Sequence, residues 1–369
     1  MAALYFHIPF CKKLCGYCDF LRSVKIQLLP KVVEKMHIEL EEQCRFLTDN
    51  RLKTIYFGGG TPSLLHPSEI ERFINQAKQL FDCSAVKEIT IEVNPDDITE
   101  EYVAALAQTS VNRVSMGIQS LDDRCLQFMG RRHSAEQAIK AVELLRKGGI
   151  NNISVDVIFG VDGFEGESLD STLRGILALN VEHISAYHLT IEPTTHFGRL
   201  LKKGELKQVS EQSSEKAFAT VHQRVTDAGF EHYEVSNFAK PGYRSQHNSS
   251  YWTGDQYLGI GTGAHSFNGT TRRWCDQRVE EYCNEIVYGS EELTQTEMLN
   301  EYIMVSLRRV EGIDLEVIAN QWGEVEARRI KQCAAGFIKQ GWLVENGSRL
   351  AIPAPHFLVS DAIIGELFA

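Results

Sequence analysis

The chain is short of positive charge. Its 38 lysines and arginines face 49 acidic residues over 369 positions, a net charge of −11. A protein that held nucleic acid by bulk electrostatics would need the opposite balance, so nucleic acid is not an expected partner. Long apolar runs are missing as well. No stretch approaches the roughly 18 consecutive apolar residues that span a bilayer, and MAALYFHIPF lacks the basic opening of an export signal. Paired cysteines are also lacking. Cys44, Cys83, Cys125, Cys275, Cys283 and Cys333 are scattered without disulfide or zinc-finger spacing, which suits packing residues in a reducing cytoplasm. The rest of the composition, 43% apolar and 24% charged, is that of an ordinary soluble globular protein with room for one large domain and a smaller one.

What is present gathers near the start. Cys11, Cys15 and Cys18, in HIPFCKKLCGYCDF, are spaced C-x-x-x-C-x-x-C on a short loop. Three thiolates so placed suit three irons of a cubane [4Fe–4S] cluster, whose usual ligands are cysteines. Position 20, where a fourth cysteine would follow, is Phe20, which leaves one iron open to a small molecule. A zinc site completed by His7, or three buried free thiols, are the alternatives. Zinc cysteines usually come in close pairs with a second pair or histidines downstream. An exposed cluster with an open iron would degrade in oxygen, which again points to the cell interior.

Six apolar, β-rich runs follow in order: LYFHIP, TIYFGGG, EITIEV, RVSMGIQ, ISVDVIFG and HISAYHL. Helix-like segments lie between them at 30–47, 67–80, 99–108, 134–147 and 168–179. Strands alternating with helices argue for an α/β fold with a parallel sheet. Six units are two short of a closed eight-fold barrel, so an incomplete (β/α)6 barrel is expected, with chemistry at the C-terminal strand ends. Residues 1–200 would form this core and 201–290 an α+β extension. Residues 291–369 read as a mainly helical, winged-helix-like domain, whose hairpin of WLVE and RLAI turns at Asn346-Gly347. Its helix RRIKQCAAGFIKQ is too weakly basic to argue for DNA.

Polar residues collect at the strand ends. The GGGTP turn at 58–62 allows close backbone approach to a ligand. Glu92 lies in EVNP, Gln119 ends the fourth strand, and Arg131 carries a fork suited to a carboxylate. Asp156, alone among apolar neighbours in VDVIFG, would be costly to bury without a ligand-facing role. Each residue alone could be a cap or a surface ion-pair member.

YFHIPFCKKLCGYCDF, GGGTP, EVNP, SMGIQS, GRRH and VDVIFG resemble, in order and spacing, the HemN/HemW group of radical S-adenosylmethionine (SAM) proteins. The likeness is strong over residues 4–270 and looser beyond. It implies a partial barrel with a SAM-ligated [4Fe–4S] cluster on Cys11, Cys15 and Cys18. By the same matching, Tyr5, Gly59, Gly60, Thr61, Glu92, Gln119, Arg131 and Asp156 would line the SAM site. The group divides into an oxygen-independent coproporphyrinogen III oxidase branch and a heme chaperone branch. The oxidase branch carries a cysteine where this chain has Phe20, and a substantial extension before the motif that here begins at Tyr5. His247-Asn248-Ser249-Ser250-Tyr251-Trp252 matches the H-N-x-x-Y-W of the chaperone branch, where it is linked to heme. Imidazole is the commonest protein ligand of heme iron, which makes His247 the expected heme contact. The resemblance therefore implies heme and heme-acceptor proteins, among them membrane-bound respiratory ones, as partners. Whether the chain also acts as an enzyme is left open, with porphyrinogen decarboxylation as the alternative function.

Overall fold

A computed structural model describes all 369 residues. The six expected strands form: β1 (Ala2–Ile8), β2 (Leu52–Gly59), β3 (Glu88–Val93), β4 (Arg113–Gln119), β5 (Asn152–Phe159) and β6 (His183–His188). The helices between them are α1 (Leu29–Gln43), α2 (Pro67–Leu80), α3 (Glu100–Leu106), α4 (Asp123–Met129), α5 (Ala135–Lys147) and α6 (Glu167–Ala178). All five strand pairings are parallel, as crossover helices require. The strands are apolar on the helix-covered side, where Phe6 stacks on Phe57 at 4.7 Å and touches Phe73 at 4.8 Å. Their other face is polar at every second position. Tyr5 and His7 on β1, Tyr56 on β2, Glu92 on β3, Ser115 on β4 and Asp156 on β5 share this inward side, and Glu92 pairs with Ser115 as Asp156 pairs with Ser185.

The remaining strands extend the same sheet at both edges. After α7 (His196–Lys203) and α8 (Glu211–Asp227) come β7 (Glu231–Glu234) and β8 (Asn237–Ala239), and β8 joins β6 antiparallel. Then α9 (Gln246–Trp252) leads to β9 (Gln256–Ile260), β10 (His265–Phe267), β11 (Thr271–Trp274), α10 (Val279–Tyr282) and β12 (Gly289–Glu292). β9 lies parallel to β1, with Tyr5 opposite Gly259. The result is one twelve-stranded sheet in the order β12-β11-β10-β9-β1-β2-β3-β4-β5-β6-β8-β7.

The C-terminal segment builds α11 (Gln295–Leu307), β13 (Ile313–Asp314), α12 (Leu315–Trp322), α13 (Glu324–Gln340), β14 (Val344–Asn346), β15 (Arg349–Ala351) and α14 (Ser360–Gly365). Three helices beside a small β13-β15-β14 sheet give the winged-helix shape. Its hairpin turns through Gly347 at φ +62°, a left-handed value that glycine adopts freely. No helix of the chain is long and apolar enough to cross a membrane.

Candidate functional site

The cysteine loop leaves β1 and is pinned at both ends by backbone. Cys11 N–H donates to Ser23 O at 3.0 Å, and Gly16 N–H to Met129 O at 3.0 Å. Phe197 N–H closes the loop from α7 by donating to Gly16 O at 2.9 Å. A side chain at position 16 would force the buried Phe197 ring to move, because a Cβ there would stand 2.4 Å from it. Asp97, buried just after β3, accepts from Lys12 Nζ at 2.5 Å and from Ser63 Oγ at 2.8 Å. That carboxylate ties the loop to the ends of β2 and β3.

Thus held, Cys11, Cys15 and Cys18 are unpaired and half-buried at the mouth of a cavity of about 370 Å³. The same cavity is lined by Gly59, Gly60, Thr61, Glu92, Gln119, Arg131 and Asp156. Gly60 comes close to the loop: a Cβ there would meet Phe10 O at 2.6 Å and Ile8 O at 2.9 Å. Thr61 Oγ1 lies 3.5 Å from Cys11 Sγ and accepts from Asn94 Nδ2 at 3.1 Å. Arg131 donates through Nη2 to Asn94 Oδ1 at 2.7 Å and Gly117 O at 2.6 Å, and its Nη1 reaches Cys15 Sγ at 3.5 Å.

Glu92 accepts from Tyr56 Oη at 2.8 Å and Gly59 N–H at 3.1 Å. Burial outweighs these donors and pushes its carboxyl up to about 7. Burial likewise lifts Asp156 to about 6, against hydrogen bonding from Ser185. Two acids therefore line one cavity, both lifted by burial and both held down in part by the charge of the Arg113 guanidinium. Gln119 sits at φ +69°, left-handed backbone that costs a non-glycine residue on the order of 1 kcal/mol or more, just past a bulge in the β4–β5 register. The twist aims its amide at the cavity.

Two predicted residues lie elsewhere. Tyr5 does not reach the cavity. Its hydroxyl donates to His7 Nδ1 at 3.0 Å, and its ring lies among those of Tyr56 and His247. His247 is 1% exposed, and both ring nitrogens are engaged, Nδ1 with Thr54 Oγ1 at 2.9 Å and Nε2 with Tyr251 Oη at 3.1 Å. It also stacks on Tyr56 at 4.7 Å, and burial lowers it to about 3. Neither nitrogen is open to an iron in this arrangement; the residue ties α9 to β2. The sequence marks Asn94 as a polar residue at a strand end but gives it no role, and it does not single out Tyr56, Gly117 or Asp97, although Tyr56 and Gly117 stand inside the quoted TIYFGGG and SMGIQS runs.

The zinc alternative does not fit. His7, its fourth ligand, donates from Nε2 to Leu21 O at 3.1 Å while Nδ1 accepts from Tyr5, and no three Cys, His, Asp or Glu side chains gather around a single ion. A cluster with a polar ligand fits better. Three thiols share one rim, and Gln119 and Arg131 line the cavity with one buried, unpartnered atom each, Oε1 and Nε.

The family model described as the radical SAM superfamily matches residues 5–176. A protein named heme chaperone HemW from Lactococcus lactis is 33% identical over 86% of this chain and 84% of its own length. Its namesake from Bacillus subtilis is 32% identical over 88% and 87%. The chain belongs to the HemW family of radical SAM proteins. That membership implies a [4Fe–4S] cluster and SAM. The solved coproporphyrinogen III oxidase HemN from Escherichia coli superposes over 100% of this chain and 90% of its own, with a TM-score of 0.83. At 22% identity that likeness shows the shared fold.

Proposed function

We propose that the chain is a heme chaperone, which binds heme beside a SAM-ligated [4Fe–4S] cluster and passes it to acceptor proteins. Family membership at 33% identity, extending over 84% of a relative named heme chaperone, is the observation that carries this reading. Cys11, Cys15 and Cys18 would hold the cluster, which supplies an open iron and a reducible centre when bound. Gly59, Gly60 and Thr61 would present backbone and hydroxyl to the amino end of SAM. Arg131 would meet its carboxylate with the unpartnered Nε, and Glu92 and Asp156 its positive charge and hydroxyls. Asn94 holds both Arg131 and Thr61, and so sets the cavity's polar edge. Nine unpaired cysteines and an oxygen-labile centre suit the cytoplasm as the working compartment. Acceptors include membrane-bound respiratory proteins on this reading.

The test is an anaerobic titration of hemin into the cluster-reconstituted protein, followed by transfer to an apo-hemoprotein. Saturation near one heme per chain, with transfer, supports the chaperone. No saturable binding, together with release of carbon dioxide from coproporphyrinogen III in the presence of SAM and reductant, would establish the oxidase instead.

A further inference from the structure

A second cavity, of about 450 Å³, opens beside the cluster site between the end of β6, α8, α9 and the C-terminal segment. The two cavities share Tyr187 and His188 as a common wall. Three polar atoms along the second one are buried without partners: Glu234 Oε1, Asn237 Oδ1 and Trp252 Nε1. Glu234 and Asn237 are 1% and 4% exposed, and an unsatisfied buried group costs roughly 1–3 kcal/mol. Phe159, Phe218 and Phe357 supply apolar walls. At the rim, Arg308 donates to Asp361 at 2.8 Å, a carboxylate 77% exposed, so water competes for the only partner of that guanidinium.

Aromatic walls, one loosely held cation and the unpartnered Trp252 indole N–H match a flat apolar ring with carboxylate arms. The volume lies within the roughly 300–1,000 Å³ of small-molecule sites. His188 is the imidazole on this wall. Its Nε2 is bonded only to the rotatable Ser214 hydroxyl, at 2.9 Å. The H-N-x-x-Y-W segment serves the same cavity from α9: Asn248, Tyr251 and Trp252 line it, while His247 turns away into the barrel.

We propose that this groove is the heme pocket, with His188 facing the iron and Arg308 and the Trp252 indole N–H holding a propionate. The proposal rests on the heme-chaperone reading and moves the iron contact from His247 to His188.

The experiment is the anaerobic hemin titration of the full, cluster-loaded chain, comparing wild type with His188→Ala, Arg308→Gln and His247→Gln. Affinity comes from the Soret band, and iron coordination from its position and the electron paramagnetic resonance spectrum. His188→Ala should shift the Soret band and weaken hemin by about tenfold or more, while His247→Gln keeps the wild-type spectrum. Arg308→Gln should weaken hemin by about fivefold and leave iron protoporphyrin dimethyl ester unaffected, because the ester offers no carboxylate. The ester comparison stands by itself if His188→Ala does not fold. Wild-type affinity and spectrum in both the His188 and Arg308 variants would overturn the groove while leaving the chaperone intact. Absence of saturable hemin binding by the wild type would overturn the chaperone reading itself.

Discussion

Glu92 offers the sharpest handle on the proposed SAM site. Burial holds its carboxyl at about 7, so a large share of it is protonated near neutrality. The sign follows from that elevation: ionising Glu92 costs the free protein increasingly as pH rises through 7, and a bound sulfonium and ammonium cation repays the cost. SAM affinity should therefore climb with pH up to about 8 and then level. At pH 5.5, about 1.5 units below that value, only ~3% of the carboxyl is ionised, which weakens binding by ~30-fold, or ~2 kcal/mol at 1.36 kcal/mol per unit. Calorimetry of SAM binding to the cluster-loaded protein at pH 5.5, 6.5, 7.2 and 8 reads this directly. Glu92→Gln is the control. It should bind at pH 8 about 30-fold more weakly than wild type does at pH 8, and keep only the shallower step near 6 that belongs to Asp156. Titration of the SAM amino group is common to both proteins and cancels in the comparison. A flat wild-type profile, or the same slope in Glu92→Gln, would refute the assignment of Glu92 to bound SAM.

Other outcomes check the remaining assignments. Cys15→Ala should lose the broad visible absorbance of the cluster and bind less iron after anaerobic reconstitution, with far-ultraviolet circular dichroism unchanged; a full complement of iron would remove Cys15 from the ligand set. Gly60→Ala would drive a methyl to 2.6 Å from Phe10 O, so the loop must shift. It should lose about 1–3 kcal/mol in urea unfolding and reconstitute its cluster poorly. His247→Ala strips partners from Thr54, which is fully buried, and from Tyr251, and removes the stack on Tyr56. A loss of about 3–4 kcal/mol is expected in denaturant unfolding. A loss below about 1 kcal/mol would show that the histidine does not carry the contact between α9 and β2.

How much of this was legible in the sequence depends on how local the signal is. The six barrel strands stood out because parallel strands covered by helices concentrate β-branched and aromatic residues, and because turn-forming runs such as GGGTP and EVNP punctuate them. The helix over 67–80 was announced by Pro67 at its first turn and an amphipathic period, and it forms over Pro67–Leu80. Helix α9 gave no such signal. Seven residues make two turns, too few for periodicity, and the helix exists because Ser245 caps it and Glu88 accepts from the N–H groups of Gln246 and His247, each at 2.9 Å. The pairing of β9 with β1 was equally hidden, because it joins segments some 250 residues apart. His247 shows the limit most clearly. A histidine beside Tyr and Trp reads the same whether it faces a porphyrin or the core; only Thr54 and Tyr56, brought by β2, decide which.

The wall between the two cavities bears on why a chaperone would keep radical SAM machinery at all. His188 is seated against Gly160 just past β5, where the lack of a side chain makes room for its ring: a Cβ there would stand 2.6 Å from Nε2. Tyr187 precedes it on β6 and borders both spaces. The same strand is tied to β5 at Asp156↔Ser185, and Asp156 is the acid that lines the cluster cavity. On the proposed reading, a ligand that draws Asp156 toward positive charge would pull on the strand end that presents His188 to the groove. Any effect of SAM on heme affinity transmitted this way must be matched by an equal effect of heme on SAM affinity, because the coupling free energy belongs to the pair of sites. Its size is bounded by how differently each ligand touches the two positions of that strand end. A wall of two residues would thus place the cluster cavity and the proposed heme groove under one structural constraint, which two separate domains joined by a linker would not provide.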